Sequence, residues 1–137
     1  MPSGVEEKLM IGQPEPGDES RLMNSQATGG VYEVMFEDDG TTGYFYAIRN
    51  KPETEIADAL HVYNVDDIAD RHKPVTAQII WNEAEDAAAF IINGYCHALY
   101  DFRQQAGFCR NAFPPPRHEQ AAPRELTDEL VDQYFAA

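Results

Sequence analysis

Residues 87–103 read AAAFIINGYCHALYDFR. Asn93-Gly94 stands between two apolar runs, the strongest short-range signature of a β-hairpin with a two-residue type I′ turn. In that register Ile92 faces Tyr95, Ile91 faces Cys96 and Phe90 faces His97. Ala87 to Ile92 is apolar at every position, so this strand belongs in the middle of a sheet, covered on both faces. A second turn through QQAG sends the chain back into FCRNAF (108–113), which sets Asp101 opposite Arg110 and Cys109 opposite Phe102.

Upstream, VTAQIIW (75–81) alternates, with Val75, Ala77, Ile79 and Trp81 on one face. DALHVYN (58–64) reads as another strand, with a helix starting near Glu53 as its alternative. VDDIADRHKP (65–74) is a connection with room for one helical turn. VYEVMFE and YFYAIRN flank the loop DDGTTG (38–43) and form a further hairpin. Glu37 opposite Tyr44 then sets Phe36 opposite Phe45 and Val34 opposite Ala47, an apolar face, with Glu33, Glu37 and Tyr46 on the other. Asp38, Asp39 and Gly40 suit a turn, because Asp bonds nearby backbone and Gly supplies φ > 0. As an EF-hand loop the stretch fails: with Gly40 at position 6, position 1 is Met35, which is no calcium ligand.

Residues 1–30 read as an irregular lead-in, with EPGDES and NSQATGG as turn chemistry and Lys8 to Ile11 as a short edge strand at most. Residues 31–137 then form one domain. AFPPPRHEQAAPRE (112–125) is too rich in proline for regular structure and runs extended. LTDELVDQYF closes the chain as a helix over about 127–135, capped by Thr127, with Leu126 and Val131 as a hydrophobic staple. Leu130, Val131, Tyr134 and Phe135 form the stripe that docks on the sheet. The expected fold is α+β: a mainly antiparallel β-sheet of five to seven strands, built from hairpins, with the C-terminal helix packed on it.

The chain of 137 residues carries 24 acidic and 10 basic side chains, a net charge of −14. Residues 31–70 hold ten acids against Arg49 and Lys51, a net of −8. Nucleic acid and anionic membranes call for a basic footprint, so neither is an expected partner. No apolar run reaches the roughly 18 residues of a membrane span, and no signal-peptide pattern opens the chain. Two cysteines do not make a disulfide scaffold, and a cytoplasmic setting follows.

Catalytic chemistry is sparsely supplied. Ser3, Ser20 and Ser25 are the three serines, all in the lead-in, and there is no nucleophile elbow or phosphate-binding glycine loop. Cys96, Cys109, His61, His72, His97 and His118 show no zinc-ligand spacing, so neither a metal nor another cofactor is expected. The expected register separates the cysteines by roughly 20 Å, leaving two buried thiols. One polar constellation stands out: His61, Tyr63 and Asp66 near one strand, with His97, Asp101 and Arg110 near another. His61 and Tyr63 share a face in regular alternation, as do His97 and Asp101, and a His–Asp pair is general-base chemistry. A second candidate is an acidic surface of Glu33, Glu37, Asp38, Asp39, Asp66 and Asp67.

At VMFEDDGTTGYFYAI (34–48), IADALHVYNVDD (56–67), INGYCHALYDF (92–102) and GFCRNAFPPP (107–116), the chain resembles a small bacterial family described only as a domain of unknown function. The likeness covers about residues 31–116. It implies a bacterial, cytoplasmic, single-domain protein and transfers no catalytic residue.

These observations lead to a non-enzymatic, acidic protein-binding module, such as an immunity-type inhibitor of a basic partner. The alternative is a small-molecule-binding domain or enzyme built on His61 and His97 with a nearby Asp. A third reading is a structural homo-oligomer, a homodimer for instance, packed through Tyr44, Tyr46 and Met35.

Overall fold

Asn93 and Gly94 adopt φ of 49° and 81°, the pair of positive values that a type I′ turn requires. They join β7 (Ala87–Ile92) to β8 (Tyr95–Asp101). The computed structural model that shows this describes residues 4–12, 19–69, 72–116, 119–120 and 122–135. Ser3, most of the EPGDES turn, Asp70 and His118 lie outside the described residues.

Ile92 faces Tyr95 and Ile91 faces Cys96, as the turn dictates. Phe90, however, faces Ala98 and not His97. A β-bulge leaves His97 as the extra residue, and an extra residue reverses the face of every side chain beyond it. Cys96 therefore packs on the same side as Leu99, while Ala98 and Tyr100 pack on the opposite side. The next hairpin also departs from the expected register. β9 (Ala106–Cys109) pairs Ala106 with Asp101 and Cys109 with Ala98. Gln105 takes a φ of 54°, which tightens the loop to residues 102–105 and starts the strand two residues early.

The other strands are β1 (Gly4–Leu9), β2 (Arg21–Gln26), β3 (Tyr32–Asp38), β4 (Thr42–Arg49), β5 (Glu55–Asn64) and β6 (Val75–Trp81). The seven strands expected from Val31 onward are β3 to β9. They divide between two antiparallel sheets, one ordered β1-β6-β7-β8-β9 and one ordered β2-β3-β4-β5. β1 and β2 lie in the segment expected to be irregular, and each is integral to a sheet: β1 pairs with β6 and β2 with β3. The expected β3–β4 register holds throughout, with Phe36 opposite Phe45 and Glu37 opposite Tyr44. After β5, Val65–Asp67 form a single 3₁₀ turn.

The sheets face each other across one apolar layer. Phe36, Phe45 and Leu60 meet Ile79, Trp81 and Phe90, all fully buried. The Phe90 ring stacks on Phe36 at 4.2 Å and lies 5.6 Å from Phe45. Trp81 Nε1 crosses the layer to donate to Ser25 Oγ at 2.9 Å. The α+β class follows from a second, smaller layer on the far side of β7, β8 and β9, where α1 (Asp128–Phe135) docks. Leu130, Val131, Tyr134 and Phe135 pack there on Ala89, Cys96, Leu99 and Phe108. Two layers explain why Ala87 to Ile92 is apolar at every position. Thr127 caps the helix, its Oγ1 accepting from Leu130 N at 3.2 Å. Leu126, 2% exposed, shares the cluster with Val131, the staple arrangement. No described helix is long and apolar enough to cross a membrane.

Open sheet edges invite pairing with other chains, and here arginine side chains help to close both seams between the sheets. Between β1 and β2, Arg21 meets Glu7 at 2.6 Å. Between β5 and β9, the proline-rich segment folds over the gap. Phe113 O accepts from His61 N at 2.9 Å, and Cys109 exchanges backbone bonds with Arg124 and Leu126. Arg124 then reaches inward and forks onto Asp58, with N–O distances of 2.7 and 2.8 Å. Glycine at position 107 permits this: a Cβ there would lie 2.5 Å from Asp58 Oδ2.

Candidate functional site

The EDDG stretch is a turn, and its two aspartates do different work. Asp39 Oδ1 accepts from the Thr41 and Thr42 amides at 2.9 Å each, fixing the loop. Asp38 is fully buried. It accepts from Tyr63 Oη at 2.5 Å, Gly12 N at 2.6 Å and Gly40 N at 2.8 Å. Asp38 therefore does not belong to the expected acidic surface; it is a buried acceptor that ties the chain after β1 to the β3–β4 turn. Burial, and then this bond to Asp38, push the Tyr63 phenol well above its ordinary range.

The expected polar constellation disperses. A second bulge, in β5, sets Gly43 opposite Tyr63 and Tyr44 opposite His61, with Val62 as the extra residue. His61 and Tyr63 consequently take opposite faces. Tyr63 turns inward onto Asp38 and Phe36. His61 turns outward, edge-on to Tyr44 at 5.4 Å and to Phe113 at 6.1 Å. Its ring is held by two amides, Nε2 at 3.0 Å from Asn64 Oδ1 and Nδ1 at 2.7 Å from Asn111 Nδ2. Asn64 Nδ2 donates to Asp67 at 3.1 Å, which leaves its oxygen to accept and assigns the Nε2–H tautomer. Among the described residues no carboxylate is hydrogen-bonded to His61, so no His–Asp base is assembled from them there. Asp66 is exposed on the 3₁₀ turn.

His97 and Arg110 share the Tyr95 ring, His97 edge-on to it at 4.9 Å, while Asp101 is held elsewhere. Arg110 bonds Asp128 at 2.9 Å and the Cys96 and Leu126 carbonyls, with its guanidinium 4.3 Å from the Tyr95 ring centroid. The expected Asp101–Arg110 pair does not form, because the shorter loop sets Asp101 opposite Ala106. Asp101 instead accepts from Tyr134 Oη at 2.6 Å, under the helix. Among the described residues, no hydrogen bond joins any two of these six side chains. Both cysteines are buried and unbridged. Burial pushes Cys96 up to about 11 and raises Cys109 as well, the opposite of the lowering that activates a thiol.

Burial, and then the nearby Arg110 guanidinium, hold His97 down at about 4, against an ordinary value of 6.5. The unfolded chain thus takes up a proton that the folded chain refuses. Stability from this group is full above the unfolded pKa and is lost as pH falls toward the folded one. In urea titrations, the gap between native protein and His97→Gln should be constant above about pH 7 and change between about pH 6.5 and 4. A gap independent of pH contradicts this burial of a neutral imidazole.

Of the expected acidic surface, Glu33 and Glu37 lie on the outer face of the β2–β5 sheet, while Asp39 stays in the β3–β4 turn and Asp66 and Asp67 on the 3₁₀ turn. Glu33, Met35 and Glu37 on β3 stand beside Tyr44 and Tyr46 on β4. The two tyrosine rings stack at 6.1 Å. Tyr46 Oη at 3.1 Å and Ser20 Oγ at 2.9 Å donate to Glu37. Glu33 accepts from Asn24, Gln26 and Asn50 at 3.0 to 3.1 Å. Burial alone would raise the Glu33 carboxyl, but these three amides outweigh it and hold the group below its ordinary value. Burial and then Glu37 push Tyr46 up to about 12. Leu22 and Phe113 are about half exposed, at 53% and 51%. The one described helix packs on the other sheet, so no described helix covers this face.

A model of a bacterial family, DUF2251, described as uncharacterized proteins conserved in bacteria, matches residues 14–135. This chain belongs to that family. The match runs from before β2 to the end of α1, wider than the resemblance over 31–116. An uncharacterized protein of Haemophilus influenzae is 37% identical over 134 residues, covering 96% of this chain and 80% of that protein. No solved structure matches.

Two further residues of this family member escaped the sequence reading. Asp58 sits two positions before Leu60, which marks an acid within a core-facing alternation. Its partner Arg124 lies 66 residues away and carries no local signal.

Proposed function

We propose that this family member is a non-enzymatic, acidic protein-binding module that docks a basic partner on the outer face of the β2–β5 sheet. An immunity-type inhibitor neutralising a basic toxin is the concrete form. One observation carries the reading: Glu33 and Glu37 are held by hydrogen bonds beside Tyr44, Tyr46 and Met35 on a sheet face that no described helix covers. Carboxylates already fixed in place lose little freedom on binding. Tyrosine and methionine beside them supply the anchors that interfaces favour. The net charge of −14 steers a basic protein toward the face. Two copies apposed through it would oppose Glu33 and Glu37 to their equals, which argues for a different partner over a second copy.

The test is a capture from the native host followed by kinetics with the purified partner. Tyr46→Ala should weaken binding by about thirtyfold, mainly through faster dissociation. The on-rate should drop about tenfold or more as salt rises from low to physiological. Equal capture by Tyr46→Ala and Glu37→Gln variants, or an on-rate indifferent to salt, contradicts the proposal.

A further inference from the structure

A cleft of about 80 Å³ opens at one mouth of the sandwich, between β5, β8 and the 102–105 loop. It is separate from the tyrosine face. Its polar lining is Arg49, Glu55, Asp58, Tyr100 and Gln105. At ~10–15 Å³ for each water-sized group, it holds roughly six of them, the size of a small amino acid.

Among the described residues, two of its polar groups are held by neither a hydrogen bond nor a carboxylate: the Tyr100 hydroxyl, and Arg49, whose guanidinium lies 6.0 Å from the Tyr32 ring centroid. Tyr100 is 3% exposed and lines the cleft, where its hydroxyl can make a hydrogen bond. Among the described residues its hydroxyl makes none. Burial first, and then the Asp58 carboxylate, push it up to about 12, so it stays protonated as a donor. Arg49 is the second group. Arg21, Arg110 and Arg124 each hold a carboxylate. Arg49 is half-buried in a chain with 24 acids, yet among the described residues it makes no ion pair. Glu55 sits directly opposite it in the β4–β5 register, and even this neighbour does not close onto it. The Asp58 carboxylate is already occupied by Arg124.

The walls therefore offer one cationic fork, one hydroxyl donor and one exposed carboxylate that has no ion pair among the described residues. A plain anion would meet Glu55, and a plain cation would meet Arg49. A molecule with both charges a few bonds apart satisfies the two together. Ala57 and Pro116 supply the apolar wall for a short side chain. We infer that this cleft binds a small α-amino acid as its zwitterion, the carboxylate on Arg49 and the Tyr100 hydroxyl and the ammonium on Glu55. The inference stands apart from the protein-binding reading, and either can fail alone.

The experiment is an amide NMR titration of the full chain with alanine, serine, valine, acetate and methylammonium, each to about 10 mM, the range in which weak small-ligand binding saturates. At least one amino acid should give saturable shifts at Arg49, Ala57 and Gln105, with acetate and methylammonium about tenfold weaker or absent. Arg49→Gln should weaken that binding by about tenfold or more, and Tyr100→Phe by about fivefold, with the remaining spectrum unchanged. Three outcomes overturn the inference: no saturable shift with any of the three amino acids, acetate binding as well as they do, or Arg49→Gln binding unchanged.

Discussion

Asp58→Ala will destabilise the protein by about 3–5 kcal/mol, because it leaves the Arg124 guanidinium buried without its counter-charge. Arg124 is 7% exposed and Asp58 4%. The guanidinium also donates to Ala59 O at 3.0 Å, but a carbonyl does not neutralise it. Arg124→Ala should cost a similar amount from the other side. It should also release the segment that closes the β5–β9 seam, so the amides of Cys109 and Leu126 will exchange with solvent faster than in the native protein. Chemical denaturation measures the first effect and hydrogen exchange the second. A control separates the lost charge from the lost volume: Asp58→Leu combined with Arg124→Met should recover most of the stability, as apolar replacements of buried ion pairs commonly do. A single-variant cost under about 1 kcal/mol would mean that water reaches the pair and that the seam is held by other contacts.

Phe90→Ala should cost about 3–5 kcal/mol, the transfer free energy of the ring plus the cavity it leaves. Phe90 is fully buried on the central strand of the larger sheet. Phe36 and Phe45 from the facing sheet both contact its ring, so one truncation opens the layer that joins the two sheets. Hydrogen-bonded strands β6 and β8 flank it on both sides and restrict how far the gap can collapse. Phe113→Ala is the contrast, since that ring is about half exposed; it should cost under about 1 kcal/mol. Equal denaturation midpoints for the two variants would show that the inter-sheet layer does not depend on this ring.

Where local chemistry decides the structure, the sequence is legible. Asn93-Gly94 dictates its own turn, the β3–β4 register follows from one alternation, and Thr127 with Leu126 and Val131 defines the helix start. The acids Glu33 and Glu37 are placed on a solvent-facing side by the same alternation. β1 and β2 escape because GVEEKL and RLMNSQ are outer strands with few buried side chains, so the apolar signal is thin. The split into two sheets escapes because hairpins specify neighbours, while stacking is settled by long-range contacts such as Phe90 on Phe36. The polar constellation fails for a narrower reason. Regular alternation puts His61 with Tyr63, and one extra residue in β5 undoes it. The cleft at Arg49 and Tyr100 is illegible for the same reason as Asp58 and Arg124: its walls come from distant parts of the chain.

The bulge at His97 gives β8 something like a reading frame. Before it, even-numbered side chains face the helix; after it, odd-numbered ones do. Drawing His97 into the ladder as an ordinary strand residue would leave the order of Ala98, Leu99, Tyr100 and Asp101 untouched and exchange their surroundings, sending Tyr100 under α1 and Leu99 into the space between the sheets, whereas deleting His97 would keep each of them on its present face. Loop 102–105 stands at the surface, where a change of length alters only the loop. In the paired part of β8, away from the bulge, a change of length by one is a change of meaning for every residue that follows.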